Sequence, residues 1–208
     1  MKHLALILTI IIGTLSSAYA QNYAEPKLSE EDMMDFSERI EQKIEDFQTH
    51  LSILCSANSS KQTKKIALEE CLKLFIGQGN KYYGLDAYGN QELHDSVAIQ
   101  ITSKINPTHT IPVKRYLTTL TDKLNKRYTK VEITSSQAVR VDNLHETSDG
   151  RYECVAYFYQ KFRGYKDGKL LYEDITTKKV RVYLDQIEGP VGKTWSIALG
   201  DISAVETR

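Results

Sequence analysis

The sequence predicts an α+β fold in which N-terminal helices pack on a strongly curved antiparallel sheet. Three observations carry this reading. From Arg151 to Val205, three runs rich in Tyr, Phe, Val, Thr and Ile are separated by turn residues, the pattern of an antiparallel meander. Between Ser29 and Ile76, two stretches repeat apolar residues at helical spacing. Finally, the strand runs change face part way along, which requires bulges, and bulges bend a sheet.

Taken in order, the chain opens on a targeting segment. Lys2 and His3 precede the apolar run LALILTIIIG, and Ala18-Tyr19-Ala20 before Gln21 is the small-residue pattern a signal peptidase cuts. The run is short for a membrane span, so residues 1–20 are expected to be a signal peptide cleaved after Ala20. Residues 21–28 then form a flexible N-terminus and 29–208 a single domain, in a mature chain that is periplasmic or secreted and carries no membrane segment. The 27 Lys and Arg balance 27 Asp and Glu, and the leader removes one basic residue. No face or tail concentrates one sign, which argues against nucleic acid or an anionic membrane as the main partner.

The first helix is expected from about Ser29 to Ala57. Ser29 and Asp32 resemble a capping box, and Met33, Phe36, Ile40, Ile44, Phe47, Leu51 and Leu54 form its apolar stripe. After the Asn58-Ser59-Ser60 turn, a second helix from about Gln62 to Ile76 carries Leu68, Leu72 and Phe75 and stops at Gly77 and Gly79. Val97, Ile99 and Ile101 alternate as a strand, with Tyr82, Tyr83 and Tyr88 before it in a loop or short strand. Pro112 opens a third helix, with Val113, Leu117, Leu120 and Leu124 buried, ending near Arg127. The strand from Tyr128 to Val141 points Val131, Ile133, Val139 and Val141 inward.

Register follows from the turns. With Asp167-Gly168 at a type I′ tip, Lys161 faces Asp174 on the solvent side. An extra residue near Thr176 to Lys178 then brings Ala156/Val180, Cys154/Val182 and Tyr152/Leu184 onto the apolar face and sets Arg151 opposite Asp185. The last hairpin pairs Leu184/Trp195, Val182/Ile197 and Val180/Leu199, with a face switch at Gly200. Pairing Val139/Cys154, Gln137/Ala156, Ser135/Phe158 and Ile133/Gln160 gathers Ser135, Gln137 and Gln160 on the inner face. They either hydrogen-bond a small ligand in an apolar cavity or are satisfied by backbone and water.

Motifs exclude more than they assign. Gly189-Pro190-Val191-Gly192-Lys193-Thr194 has the wrong spacing for a phosphate loop and precedes a strand, and Gly77-Gln78-Gly79 lacks the third glycine of a dinucleotide fingerprint. No cofactor is expected. His50, His94, His109 and His145 are isolated, so no metal site is expected either. Cys55 and Cys71 are offset across the helix turn, which argues against a bridge, and Cys154 reads as a small buried hydrophobe.

Two helices, a strand, a short helix bearing Thr110-Ile111-Pro112-Val113-Lys114-Arg115-Tyr116-Leu117 and four curved strands ending in Trp195-Ser196-Ile197-Ala198-Leu199-Gly200-Asp201-Ile202 together resemble the nuclear transport factor 2-like, or cystatin-like, cone fold. The chain looks closest to secreted bacterial members. The resemblance implies a cone with a pocket under the helices, an architecture shared with ketosteroid isomerase, scytalone dehydratase and polyketide cyclases. The expected function is a non-catalytic binding module, for a small apolar ligand at Ser135, Gln137 and Gln160 or for a protein partner on the sheet. The alternative is a pocket enzyme of isomerase, dehydratase or cyclase type with Asp201 as general base; Asp174 is the other strand acid to check, but the register turns it outward to Lys161. Val155, Tyr157, Tyr159 and Tyr183 form an aromatic outer face suited to a homodimer interface.

Overall fold

The computed structural model describes residues 28–85, 88, 90–121, 128–135, 139–147, 151–189 and 192–208. The expected signal peptide, and the N-terminal segment before Leu28, lie outside them. By its contacts the chain divides at Met33/Met34, and the described part of the first unit is the start of helix α1 (Glu30–Cys55). There Asp32 N donates to Ser29 Oγ at 3.1 Å and Ser29 N to Asp32 Oδ2 at 2.9 Å, the reciprocal pairing of a capping box.

In the second unit α1 buries Phe36, Ile40, Ile44, Phe47, Leu51 and Leu54, the stripe its spacing predicts. Helix α2 (Lys61–Lys73) is shorter than expected and begins at Ser60, whose Oγ accepts from Thr63 N at 3.0 Å. It buries Ala67 and Cys71, whereas Leu68 and Leu72 are half-buried. The small residues permit close approach, so the buried face is rotated by one position from the leucine stripe. Phe75 lies past the helix end, where it bridges to Leu199 of the sheet. Cys55, Cys71 and Cys154 are buried free thiols.

A hairpin of β1 (Tyr82–Leu85) and β2 (Gln91–His94) follows, then β3 (Ala98–Ile101), β4 (His109–Pro112) and α3 (Val113–Thr121). Neither β2 nor β4 is legible in the sequence, because both are largely exposed and show no alternation of burial. Helix α3 buries Val113, Tyr116, Leu117 and Leu120; Leu124 lies outside the described residues.

The expected strand from Tyr128 to Val141 is instead β5 (Lys130–Ser135) and β6 (Arg140–Val141), followed by β7 (His145–Glu146). Three long strands complete the fold: β8 (Tyr152–Lys166), β9 (Lys169–Gly189) and β10 (Gly192–Thr207). Among the described residues the main sheet runs β4-β3-β10-β9-β8-β5, with β6 and β7 also on β8. Its pairings are antiparallel except for Ile202↔Ile99 between β10 and β3. The helices cover one face: Phe47 meets Phe158 of β8 edge-on at 6.2 Å, and Phe36 meets Trp195 of β10 at 6.2 Å.

Three register expectations are corrected. Asp167 and Gly168 do form the β8–β9 tip at φ 52 and 77, and Ala156↔Val180, Cys154↔Val182 and Tyr152↔Leu184 pair as expected. The extra residue, however, sits next to the turn, between the Gly164↔Tyr172 and Tyr165↔Leu170 pairs, rather than near Thr176. Lys161 therefore faces Ile175, and Asp174 faces Phe162 on the covered side. Between β9 and β10 the pairs are Leu184↔Ile197 and Val182↔Leu199, two residues from expectation, with the irregularity at Gly200 in place. Between β5 and β8, Ser135 pairs with Gln160 and Ile133 with Phe162, again two residues away. A slip of two leaves every side chain on its face, so alternation cannot detect it.

Candidate functional site

With the bulge beside the turn, one face of β9 reads Leu184, Val182, Val180, Lys178, Thr176, Asp174 and Tyr172. The first three are core residues, and the next three are polar yet buried, Lys178 at 5 % and Asp174 at 4 % exposure. This polar half of the strand forms one wall of a cavity of about 310 Å³. Helix α3 contributes Tyr116, Thr119 and Leu120, and β5 and β8 contribute Ile133, Gln160 and Phe162. The β3–β4 loop, residues 102–108, forms the rim. Gly164 makes room for the Tyr128 ring, which a methyl group there would overlap, and that ring packs on Phe162 at 5.9 Å.

Two polar arrangements face this largely apolar space. Tyr172 donates its hydroxyl to Asp174 Oδ2 at 2.6 Å and accepts from Lys104 N at 2.9 Å, so one phenol fastens the rim loop and orients the carboxyl. Burial raises Asp174 above the usual carboxylate range, against the opposing pull of the Tyr172 hydrogen bond and of Lys104 and Lys178. Lys178 Nζ donates to Gln100 O at 2.5 Å, while Gln100 Oε1 accepts from Ala204 N at 3.1 Å where β10 breaks register. Burial lowers the Lys178 ammonium to about 8, and the Asp174 charge acts in the opposite direction. Thr176, between them, pairs its hydroxyl with that of Thr207 at 3.0 Å. Burial thus drives an acid and an amine on one strand toward their neutral forms, in which each can both donate and accept a hydrogen bond.

Of the residues singled out in the sequence, Gln160 lines the cavity and Ser135 is its cross-strand partner. Gln137 lies outside the described residues. Asp201 is exposed, and its Oδ1 accepts from Ala98 N at 2.8 Å, tying the β10 irregularity to the start of β3. Val155, Tyr157, Tyr159 and Tyr183 are half-buried on the outer face, opposite Arg181, Lys179, Thr177 and Glu153, and the Arg140 guanidinium lies 4.4 Å from the centre of the Tyr157 ring. His109 is at the cavity rim, His94 stacks on Tyr82 at 5.3 Å, and His145 meets Glu153 at 3.2 Å. Among the described residues no three His, Cys, Asp or Glu side chains are grouped to hold a metal ion. No helix of the described residues is long and apolar enough to cross a membrane.

Of Tyr172, Asp174 and Lys178, only Asp174 is singled out by the sequence, and there as an outward-facing acid. A signal was present: counting back from Val180 by twos along β9 reaches all three, provided no bulge intervenes. Placing the bulge among them turned the acid outward.

No family model matches the chain, and no curated protein does. Among solved structures, one from Novosphingobium aromaticivorans DSM 12444 described as a "Putative Scytalone Dehydratase" is similar at 14 % identity, with a TM-score of 0.43, over 86 % of this chain and 90 % of that chain.

Proposed function

We propose that the chain is an exported binding module whose cavity takes a small, largely apolar molecule bearing a hydrogen-bonding oxygen. One observation supports this most strongly: an apolar space of about 310 Å³ walled on one side by a buried acid and a buried amine of one strand, Asp174 held by Tyr172. A pocket of this kind gains affinity from its apolar walls and orientation from a few polar groups. The leader at residues 1–20 supports export.

A titration with 2-naphthol, compared with naphthalene, tests the proposal. The naphthol should bind saturably and about fivefold tighter, the equivalent of one hydrogen bond of about 1 kcal/mol. Thr119→Trp should abolish binding of both, because Thr119 is an exposed α3 position on the cavity lining, where a bulky ring plugs the space without entering the core. Equal, non-saturable uptake by both proteins would refute the cavity as the site.

A second reading is favoured by the placement of Asp174. The buried carboxylate in the cavity is this residue and not Asp201, and its raised pKa brings it nearer to working pH, as a general base requires. If the protein is an enzyme of isomerase, dehydratase or cyclase type, Asp174→Asn should abolish turnover while leaving naphthol bound. Turnover that survives the substitution removes this reading.

A further inference from the structure

Neither role just proposed uses Lys178, although a lysine enclosed at the core end of an apolar cavity is costly to keep. Its side chain lies between the all-apolar stretch of β9 and Thr176, opposite Phe158. Among the described residues Lys178 Nζ makes one hydrogen bond, to Gln100 O, and no carboxylate lies within ion-pair distance. The nearest ionisable neighbour on the same face of the strand is Asp174, four residues away, or about 13 Å at Cα for a strand rising ~3.3 Å per residue. Both side chains reach the same cavity. The space between an amine and an acid, closed by apolar walls, suits a reactive group that needs both.

We propose that Lys178 is a nucleophilic amine that condenses with the carbonyl of a small apolar aldehyde or ketone held in this cavity. The inference rests on the binding reading above and names the class of ligand. The Nζ lone pair attacks the carbonyl carbon, and the C–O π electrons move to oxygen. A proton passes from nitrogen to that oxygen, giving a carbinolamine. The C–O bond then breaks, with oxygen leaving as water after taking a proton from the Asp174 carboxyl, and the nitrogen lone pair closes the C=N bond. The nitrogen returns a proton to the Asp174 carboxylate, so that amine and carbonyl have become imine and water. A hydrogen bond from a neutral amine to Gln100 O leaves the nitrogen lone pair available for the attack. The lowered Lys178 ammonium supports the same chemistry. At pH 7 a lysine of pKa about 8 is roughly 9 % free amine, against roughly 0.04 % for an ordinary one. Desolvation in an apolar pocket is an established way to activate a lysine for Schiff-base formation.

The test treats the full chain with benzaldehyde and sodium cyanoborohydride at pH 7 and locates benzylated lysines by peptide mass mapping. The expected result is modification at Lys178 at least about tenfold faster than at exposed lysines, slowed by saturating 2-naphthol and lost in Lys178→Met. The naphthol competition needs no variant, so a misfolded Lys178→Met does not weaken the test. Naphthol binding together with benzylation spread evenly over surface lysines overturns the imine proposal and leaves the binding reading standing. Absence of both naphthol binding and Lys178 preference overturns the two together.

Discussion

Replacing Lys178 with methionine removes a charge that folding takes out of water and keeps most of the side-chain volume. The ammonium falls from 10.5 to about 8 on folding, and at 1.36 kcal/mol per pKa unit its burial costs about 3 kcal/mol at neutral pH. The substitution also leaves Gln100 O without its donor, a loss of roughly 1–3 kcal/mol. The variant should therefore be between equally stable and about 2 kcal/mol more stable than the parent at pH 7. Its pH dependence is the sharper readout. Because the folded pKa lies below the unfolded one, between about 8 and 10.5 the unfolded chain binds more protons. Stability contributed through this group then rises with pH. The parent should gain roughly 2–3 kcal/mol from it between pH 7 and pH 10, and Lys178→Met should lack that gain. Urea unfolding of both proteins at the two pH values measures this, since the titration of tyrosines and other lysines cancels in the difference. A parent-minus-variant difference constant to within about 0.5 kcal/mol would show that Lys178 is not buried as described.

Asp201→Ala should cost about 1 kcal/mol in urea unfolding by unpairing Ala98 N and should leave naphthol affinity unchanged. Loss of binding would place Asp201 in the site after all. Tyr172→Phe removes the hydrogen bond that lowers Asp174, so the carboxyl should rise further. A folded pKa above the unfolded one contributes stability at pH below the unfolded value, and that contribution is lost as pH rises through the folded value; the variant should move the loss to higher pH. Carboxyl-carbon NMR of the labelled protein follows this titration directly, and an unchanged midpoint contradicts the 2.6 Å contact.

Much of the fold was legible because burial writes itself into periodicity. The stripe Phe36, Ile40, Ile44, Phe47, Leu51 and Leu54 matches α1, and the parity of Ala156, Val180 and Val182 matches the covered face of the sheet. Registers were missed by two residues at Ser135 and Trp195 because such a slip preserves parity. The site was missed for a related reason. Along Tyr172 to Lys178 the covered positions are polar, so nothing in their hydrophobicity marks which parity is inward, and the bulge was drawn through the residues that line the cavity. A functional site is the place where the apolar pattern is expected to fail. Asp174 and Lys178 are that failure, the acid read first as solvent-facing and the lysine as part of a bulge.

Native mass spectrometry tests most directly whether the cavity is a binding site. The chain is purified gently from the cells that make it and weighed under native and then denaturing conditions, beside Thr119→Trp prepared in the same way. A non-covalent adduct is expected on the parent, lost on denaturation and missing from the variant. A parent that carries no adduct after gentle purification, and that acquires none from 2-naphthol under the same conditions, would contradict the binding reading.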